Sequence, residues 1–410
     1  MIASPWAAPL WRFGLGCTRL TRPLTNIRLQ PPCDLVDAPR DGETPVPLET
    51  LIMRRCICLC LTVIFGFILA GCGGSNKPEY KYRIAVIPKG LTHEFWQSIE
   101  RGARRAGQDL TEKGIATQII WDGPLKENDM LEQISIIDRN IANEVSGIVL
   151  APQHSKTMVA PVERAVNQGI PVLIIDSGLE NQDIIVQYVA TNNYNGGKLA
   201  AEHLLKVLAD QGKPAPRLIL LRYQVGSEST DQREKGFEDV IDHAIEKQKE
   251  DGKPTITWLS KDKFAGATKD SARREAEPLL NNLRDKGIDG MFAPNESSAS
   301  GTVDALRSLD LAKKIRLVGF DSSAPLLQAL RDGDIDALIL QDPYKMGYLG
   351  VWNLVHHLEG YRIEPKVMST GEYVITKDNL DDQSTKELFD PKLQEQRKIQ
   401  PPGFNKGAAK

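Results

Sequence analysis

Two stretches place an acid at the same point of an apolar run. Ile170-Pro171-Val172-Leu173-Ile174-Ile175 leads into Asp176-Ser177, and Ile315-Arg316-Leu317-Val318-Gly319-Phe320 leads into Asp321-Ser322. Such runs read as strands of a parallel sheet, and an Asp just past the carboxyl end of one sits where open α/β sheets bind ligands. A carboxylate there accepts charge-assisted hydrogen bonds from hydroxyl groups, which is chemistry for holding a polar solute. For one Asp alone, capping of the following helix is the better reading; two matched positions favour two strand ends facing one cleft.

Other chemistries find little support. All six cysteines, Cys17, Cys33, Cys56, Cys58, Cys60 and Cys72, lie in the first part of the chain, so the body has no thiolate nucleophile, no thiolate metal ligand and no disulfide. His356 and His357 are adjacent and diverge on a helix, and neither HExxH nor GxSxG occurs. After the first apolar strand the loop is Lys89-Gly90-Leu91-Thr92, without the clustered glycines that let backbone approach phosphate. No enzyme, cofactor or metal site is therefore expected. A net charge of -3 over 410 residues gives no excess of Lys and Arg for a phosphate backbone, so no nucleic acid is expected as partner.

Export is written ahead of the body. Met53-Arg54-Arg55, an apolar run from Cys56 to Leu69, and Leu69-Ala70-Gly71-Cys72 have the layout of a secretory signal. The run is shorter than the roughly 20 residues that span a hydrocarbon core as a helix, so cleavage fits better than a transmembrane anchor. Leu69-Ala70-Gly71-Cys72 resembles the bacterial lipobox, which implies a lipid on Cys72 and a protein anchored to a membrane in the periplasm or cell envelope. A chance match inside a buried helix is the alternative. Residues 1–52, rich in Pro and Arg without periodicity, read as a misassigned extension or disordered leader. Residues 53–72 read as the signal peptide, 73–81 as a flexible tether and 386–410 as a polar tail, disordered from Gln394 on.

The elements that must position the two acids alternate along the body. Ile84-Ala85-Val86-Ile87 reads as a strand, and Phe95, Ile99, Ala103, Ala106 and Leu110 follow at helical spacing. The pattern continues through Ile119-Ile120-Trp121, a helix face of Met130, Ile134, Ile137 and Ile141, and the strands at 147–150 and 172–175. A second series begins at Leu218-Ile219-Leu220-Leu221 and runs through 256–259, 291–293 and 317–320. Alternating strands and helices in two similar series predict an α/β fold of two lobes with parallel sheets.

Several segments, taken in order, resemble type I periplasmic sugar-binding proteins, the ribose-binding proteins most of all. They are Ile87 to Trp96, Gly169 to Asp176, Thr191-Asn192-Asn193 with Gly196-Gly197, Arg233 to Phe237, Asn295-Glu296, Val318 to Asp321 and Gln341-Asp342-Pro343. The resemblance spans roughly 82 to 375 and implies two Rossmann-like lobes joined by a three-crossover hinge near Thr191, Gln341 and Ser369. The lobes would be 82–191 plus 342–368 and 192–341 plus 369–385. Carried over by position, Phe95 and Trp96 become aromatic walls, and Asp176, Arg233, Asn295, Asp321 and Gln341 polar contacts. His93 becomes a first-loop donor or acceptor, with Phe264 and Phe320 as weaker aromatic candidates. A sugar presents C–H faces and hydroxyls, so such a mixture suits it.

Each residue has an ordinary competitor. Phe95 and Trp96 could be core, Arg233 with Glu234 a solvated ion pair, Asn295 an N-cap and His93 a loop histidine. The chain also departs from the ribose binders: Ser177 stands where they carry Arg, Ala151 where they carry Asn, and His93 where Asn is expected. A hydroxyl pattern other than ribose's is expected, so a hexose, another pentose or a polyol stays open. The expected role is a monomeric solute-binding lipoprotein that closes on its ligand and delivers it to an ABC transporter permease. Presentation of ligand to a chemoreceptor or sensor kinase is the alternative. A repressor of the lactose-repressor type is disfavoured by the signal peptide.

Overall fold

The computed structural model describes residues 79–404. The signal segment, Cys72 and residues 1–52 lie outside the described residues. The first series of strands is β1 (Tyr82–Ile87), β2 (Thr117–Trp121), β3 (Gly147–Leu150), β4 (Val172–Ile175) and β5 (Tyr188–Ala190). The second is β6 (Arg217–Arg222), β7 (Thr257–Phe264), β8 (Gly290–Phe292), β9 (Arg316–Phe320) and β10 (Ala337–Leu340), and two short strands follow, β11 (Val367–Ser369) and β12 (Tyr373–Ile375).

These make two six-stranded sheets, ordered β11-β5-β4-β3-β1-β2 and β12-β10-β9-β8-β6-β7. Every pairing is parallel except β10 with β12. Burial of every residue in β3, β4 and β10 explains their unbroken apolar runs, because helices cover both faces of each sheet. The chain passes between the sheets after β5, after β10 and again between β11 and β12, which makes three crossovers. Strand order reverses between β1 and β3 in one lobe and between β6 and β8 in the other. These are the switch points at which ligands bind in open α/β sheets.

In chain order the helices are α1 (Glu94–Glu112), α2 (Met130–Ala142), α3 (Val159–Asn167), α4 (Asn193–Asp210), α5 (Glu228–Glu250), α6 (Lys269–Leu283), α7 (Glu296–Ser308), α8 (Ala324–Asp332) and α9 (Pro343–Leu358). The face of α1 expected from spacing, Phe95, Ile99, Ala103, Ala106 and Leu110, is buried. Close packing of α4 on α5 depends on two glycines. A Cβ on Gly197 would lie 1.9 Å from the Arg233 carbonyl oxygen, and one on Gly236 would lie 2.0 Å from that of Tyr194. Among the described residues no helix is long and apolar enough to cross a membrane.

The end of the chain departs from the expectation of a disordered tail. Helices α10 (Gln383–Phe389) and α11 (Pro391–Gln396) are formed, joined at Asp390, which ends one and begins the other. Leu388 packs in the core of the second lobe, whereas Ile399 and Phe404 pack against the core of the first. Gln394 is fully buried, accepts hydrogen bonds from Ser98 and Arg101 of α1 and donates to the Leu388 carbonyl. Arg397 grips Asp342 with two hydrogen bonds of 3.0 and 2.6 Å. Polar composition misled here because these polar side chains are spent inside the protein.

Candidate functional site

The residues that gather between the lobes come mainly from the carboxyl ends of strands and the helix starts that follow. Lys89 lies just past β1, Asp176 just past β4, Tyr223 past β6, Asp321 past β9 and Gln341 past β10. Both aspartates have left-handed backbone, with φ of 61° at Asp176 and 68° at Asp321. Asp tolerates that region better than most residues, and strain held at matched strand ends is typical of functional positions. Neither acid is a helix cap: the element after Asp176 is the strand β5, α8 has Ser323 as its N-cap, and the Asp321 carboxylate instead accepts from Glu296 N at 3.1 Å and Gln341 Nε2 at 2.6 Å.

His93, Phe95, Trp96, Asp176, Arg233, Asn295, Asp321 and Gln341 line one small cavity, together with Lys89, Glu127, Tyr223, Ser227, Ser229, Thr230 and Glu296. Phe95 and Trp96 meet edge to face with ring centres 4.9 Å apart. Arg233, 2% exposed, donates through Nε to Asn193 Oδ1 and through Nη1 to the Pro294 carbonyl, and its guanidinium lies 3.9 Å from the ring centre of Phe320. The solvated Arg233–Glu234 pair does not occur: Glu234, also buried, pairs with Arg222 at 2.7 Å. Asn295 does serve as an N-cap, accepting from Ser298 N, while its residue still borders the cavity.

Two aromatic candidates fall elsewhere. Phe320 is fully buried behind Arg233 and supports that side chain rather than lining the cavity. Phe264 ends the edge strand β7, is 39% exposed and does not line the cavity, because the carboxyl end of an edge strand has no neighbour beyond it. Lys89, Glu127, Tyr223 and the serines that open α5 had been given no role. Position after a strand was an available signal for Lys89 and Tyr223; Glu127 sits in an irregular stretch before α2 and offered none.

The electrostatics centre on Glu127. It accepts from His93 Nδ1 at 2.9 Å, from Trp96 Nε1 at 2.5 Å and from the Tyr223 hydroxyl of the other lobe. Burial alone would raise its pKa, but the His93 charge and these donors hold it at about 2. His93 feels the converse: burial lowers it, and Glu127 outweighs burial to raise it to about 9. Burial pushes Glu296 up to about 8 against the pull of His93, and burial likewise raises Asp321. Lys89 Nζ lies 3.1 Å from Asp176 Oδ2.

The lobes are closed on one another. Tyr223 reaches Glu127, Lys89 reaches Ser227 and Ser229, Phe95 N donates to Glu296, Gly178 N to Glu228, and Ser229 N to Ser177 Oγ. The cavity between them is about 20 Å³, room for roughly one water. A space of about 650 Å³ opens beside His93, Glu127 and Glu296, and one of about 370 Å³ lies beside Phe95, Asp321 and Gln341 under α10 and α11. Two of the lining residues carry a buried atom without a hydrogen-bond partner: Arg233 Nη2 and Gln341 Oε1. Among the described residues no cluster of His, Cys, Asp and Glu could hold a metal.

Comparison with known proteins agrees with this architecture. A D-ribose/D-allose-binding protein of Pseudomonas aeruginosa is 27% identical over 319 residues, 76% of this chain and 93% of that protein. A carbohydrate transporter solute-binding protein from Agrobacterium radiobacter, solved with D-arabinose, superposes with a TM-score of 0.68 at 29% identity, covering 75% of this chain and 99% of that one. An ABC transporter solute-binding protein from Agrobacterium vitis, solved with D-fucose, gives 0.66 at 28% over 75% and 99%. These relatives are named for binding, not for a catalysed reaction. The family model described as periplasmic binding protein domain matches residues 84–362, and the chain belongs to that family.

Proposed function

We propose that this protein is an extracytoplasmic solute-binding protein that captures a small sugar or polyol between its lobes and delivers it to an ABC transporter permease, held to a membrane by a lipid on Cys72. The observation that carries the reading is the buried cavity lined by an aromatic pair and by Arg233 and Gln341, whose Nη2 and Oε1 are buried without partners. Buried polar atoms without partners raise the free energy of the closed form, and ligand hydroxyls relieve that. The arabinose and fucose bound by the Agrobacterium proteins support the ligand class. Mechanistically, open and closed forms interconvert, and a ligand that contacts both lobes only when they close shifts the population toward closure.

A thermal-shift screen of pentoses, hexoses and polyols tests the ligand class, since a ligand that binds only the folded state raises the melting temperature. At least one sugar or polyol is expected to raise it. Shifts from amino acids or nucleotides alone would defeat the assignment. Mass spectrometry of the mature N-terminus tests the anchor: a diacylglyceryl-modified Cys72 is expected, and an unmodified chain cleaved elsewhere would remove the lipid from the account.

A further inference from the structure

The cavity is satisfied on one side and unsatisfied on the other. Lys89 is 3% exposed, and its ammonium lies 3.1 Å from Asp176 Oδ2 and 3.2 Å from the hydroxyls of Ser227 and Ser229. An ammonium has three N–H donors, so these three acceptors use it fully. Elsewhere in the same lining, Arg233 Nη2 and Gln341 Oε1 have no partner. Ligand hydroxyls gain most where buried polar atoms are unpaired and least where a pair must first be broken. Gln341, with Asp321 and Phe95, also borders the 370 Å³ space, whereas Lys89 borders neither that space nor the 650 Å³ one.

Resting on the reading that the cleft takes a sugar or polyol, we propose that Lys89 is a specificity-determining residue: its ammonium fills the place beside Asp176 that a ligand hydroxyl would otherwise take. The ligand is then of pentose size or smaller and is read chiefly by Arg233, Asp321 and Gln341. Ser227 and Ser229 open α5 of the second lobe, whereas Lys89 and Asp176 belong to the first. The contact that excludes a larger ligand therefore also draws the lobes together.

Calorimetry of the wild type, Lys89→Ser and Lys89→Met against four-carbon polyols, pentoses and hexoses tests this. Wild type is expected to bind a pentose or smaller polyol about tenfold or more tightly than any hexose. Lys89→Ser frees both the carboxylate and the volume and is expected to erase about tenfold of that preference. Lys89→Met frees the carboxylate but keeps the bulk, and is expected to weaken all ligands while leaving the preference in place. A wild type that favours a hexose, or an unchanged preference in Lys89→Ser, would overturn the proposal. Binding confined to anionic sugar acids and lost in both variants would do so too, by making Lys89 a direct ligand contact. A wild type that binds no sugar or polyol overturns the reading of the cleft itself, and the proposal with it.

Discussion

Arg233 shows how far one side chain is specified by its surroundings. Asn193 and the Pro294 carbonyl hold two of its nitrogens, Phe320 backs the guanidinium plane, and Gly197 lets the helix that carries Asn193 approach its backbone. What is left over, Nη2, is buried without a partner in a residue that lines the cavity. Replacing Arg233 with Lys keeps the charge but loses the planar fork, so sugar affinity is expected to fall by about 1–3 kcal/mol, roughly 5- to 150-fold, in a calorimetric titration. Wild-type affinity in that variant would show that charge alone suffices. At Asp321 the left-handed φ of 68° complicates an Ala substitution with backbone strain, whereas Asn tolerates that region. Asp321→Asn is expected to weaken binding and to lower the melting temperature as well, because an amide has one acceptor oxygen where the carboxylate accepts from both Glu296 N and Gln341 Nε2. A variant that loses stability and keeps affinity would assign Asp321 to the fold alone.

Elements whose apolar residues repeat with a clear period were readable in the sequence. The runs Ile84 to Ile87 and Val172 to Ile175 became fully buried parallel strands, and Phe95 through Leu110 became the buried face of a helix, because burial itself imposes those periods. The matched Asp176 and Asp321 were readable because both lobes are built alike and put the same residue type at the same strand end. Helices α10 and α11 were not, since they are short and depend on contacts far away in sequence: Leu388 with the second lobe, Gln394 with Ser98, Arg397 with Asp342. Glu127 was missed for a similar reason, as its partners come from two distant segments: His93 and Trp96 at the start of α1, and Tyr223 after β6. Asp342 is 1% exposed, so Arg397→Ala leaves a buried carboxylate without its cation. That variant is expected to lose roughly 3 kcal/mol in urea denaturation, and a loss indistinguishable from zero would show that the chain end is bound too loosely to matter.

At the scale of the whole molecule, closure and proton binding are linked through the cavity. His93 has its ordinary 6.5 raised to about 9, so the stability it contributes is present in full below 6.5 and is lost as pH rises through 9. Glu296, raised from 4.5 to about 8, adds a loss over that lower and overlapping range. Glu127, lowered from 4.5 to about 2, contributes above 4.5 and loses that contribution as pH falls toward 2. The melting temperature is therefore expected to be highest near pH 4.5, to fall above it through Glu296 and above 6.5 through His93 as well, up to about 9, with part of that fall absent in His93→Gln. A midpoint that rises steadily from neutral to alkaline pH would contradict the assignment of these charges. Closure itself brings Tyr223 to Glu127, Lys89 to Ser227 and Phe95 N to Glu296, so a ligand seated among them meets both lobes at once. The most direct test of the proposed function is calorimetry of the purified protein and of Arg233→Ala against pentoses, hexoses and polyols. The account expects one sugar or polyol to bind at a single site in the wild type and to bind at least severalfold more weakly in Arg233→Ala. Absence of any such ligand, or equal affinity in the two proteins, would contradict it.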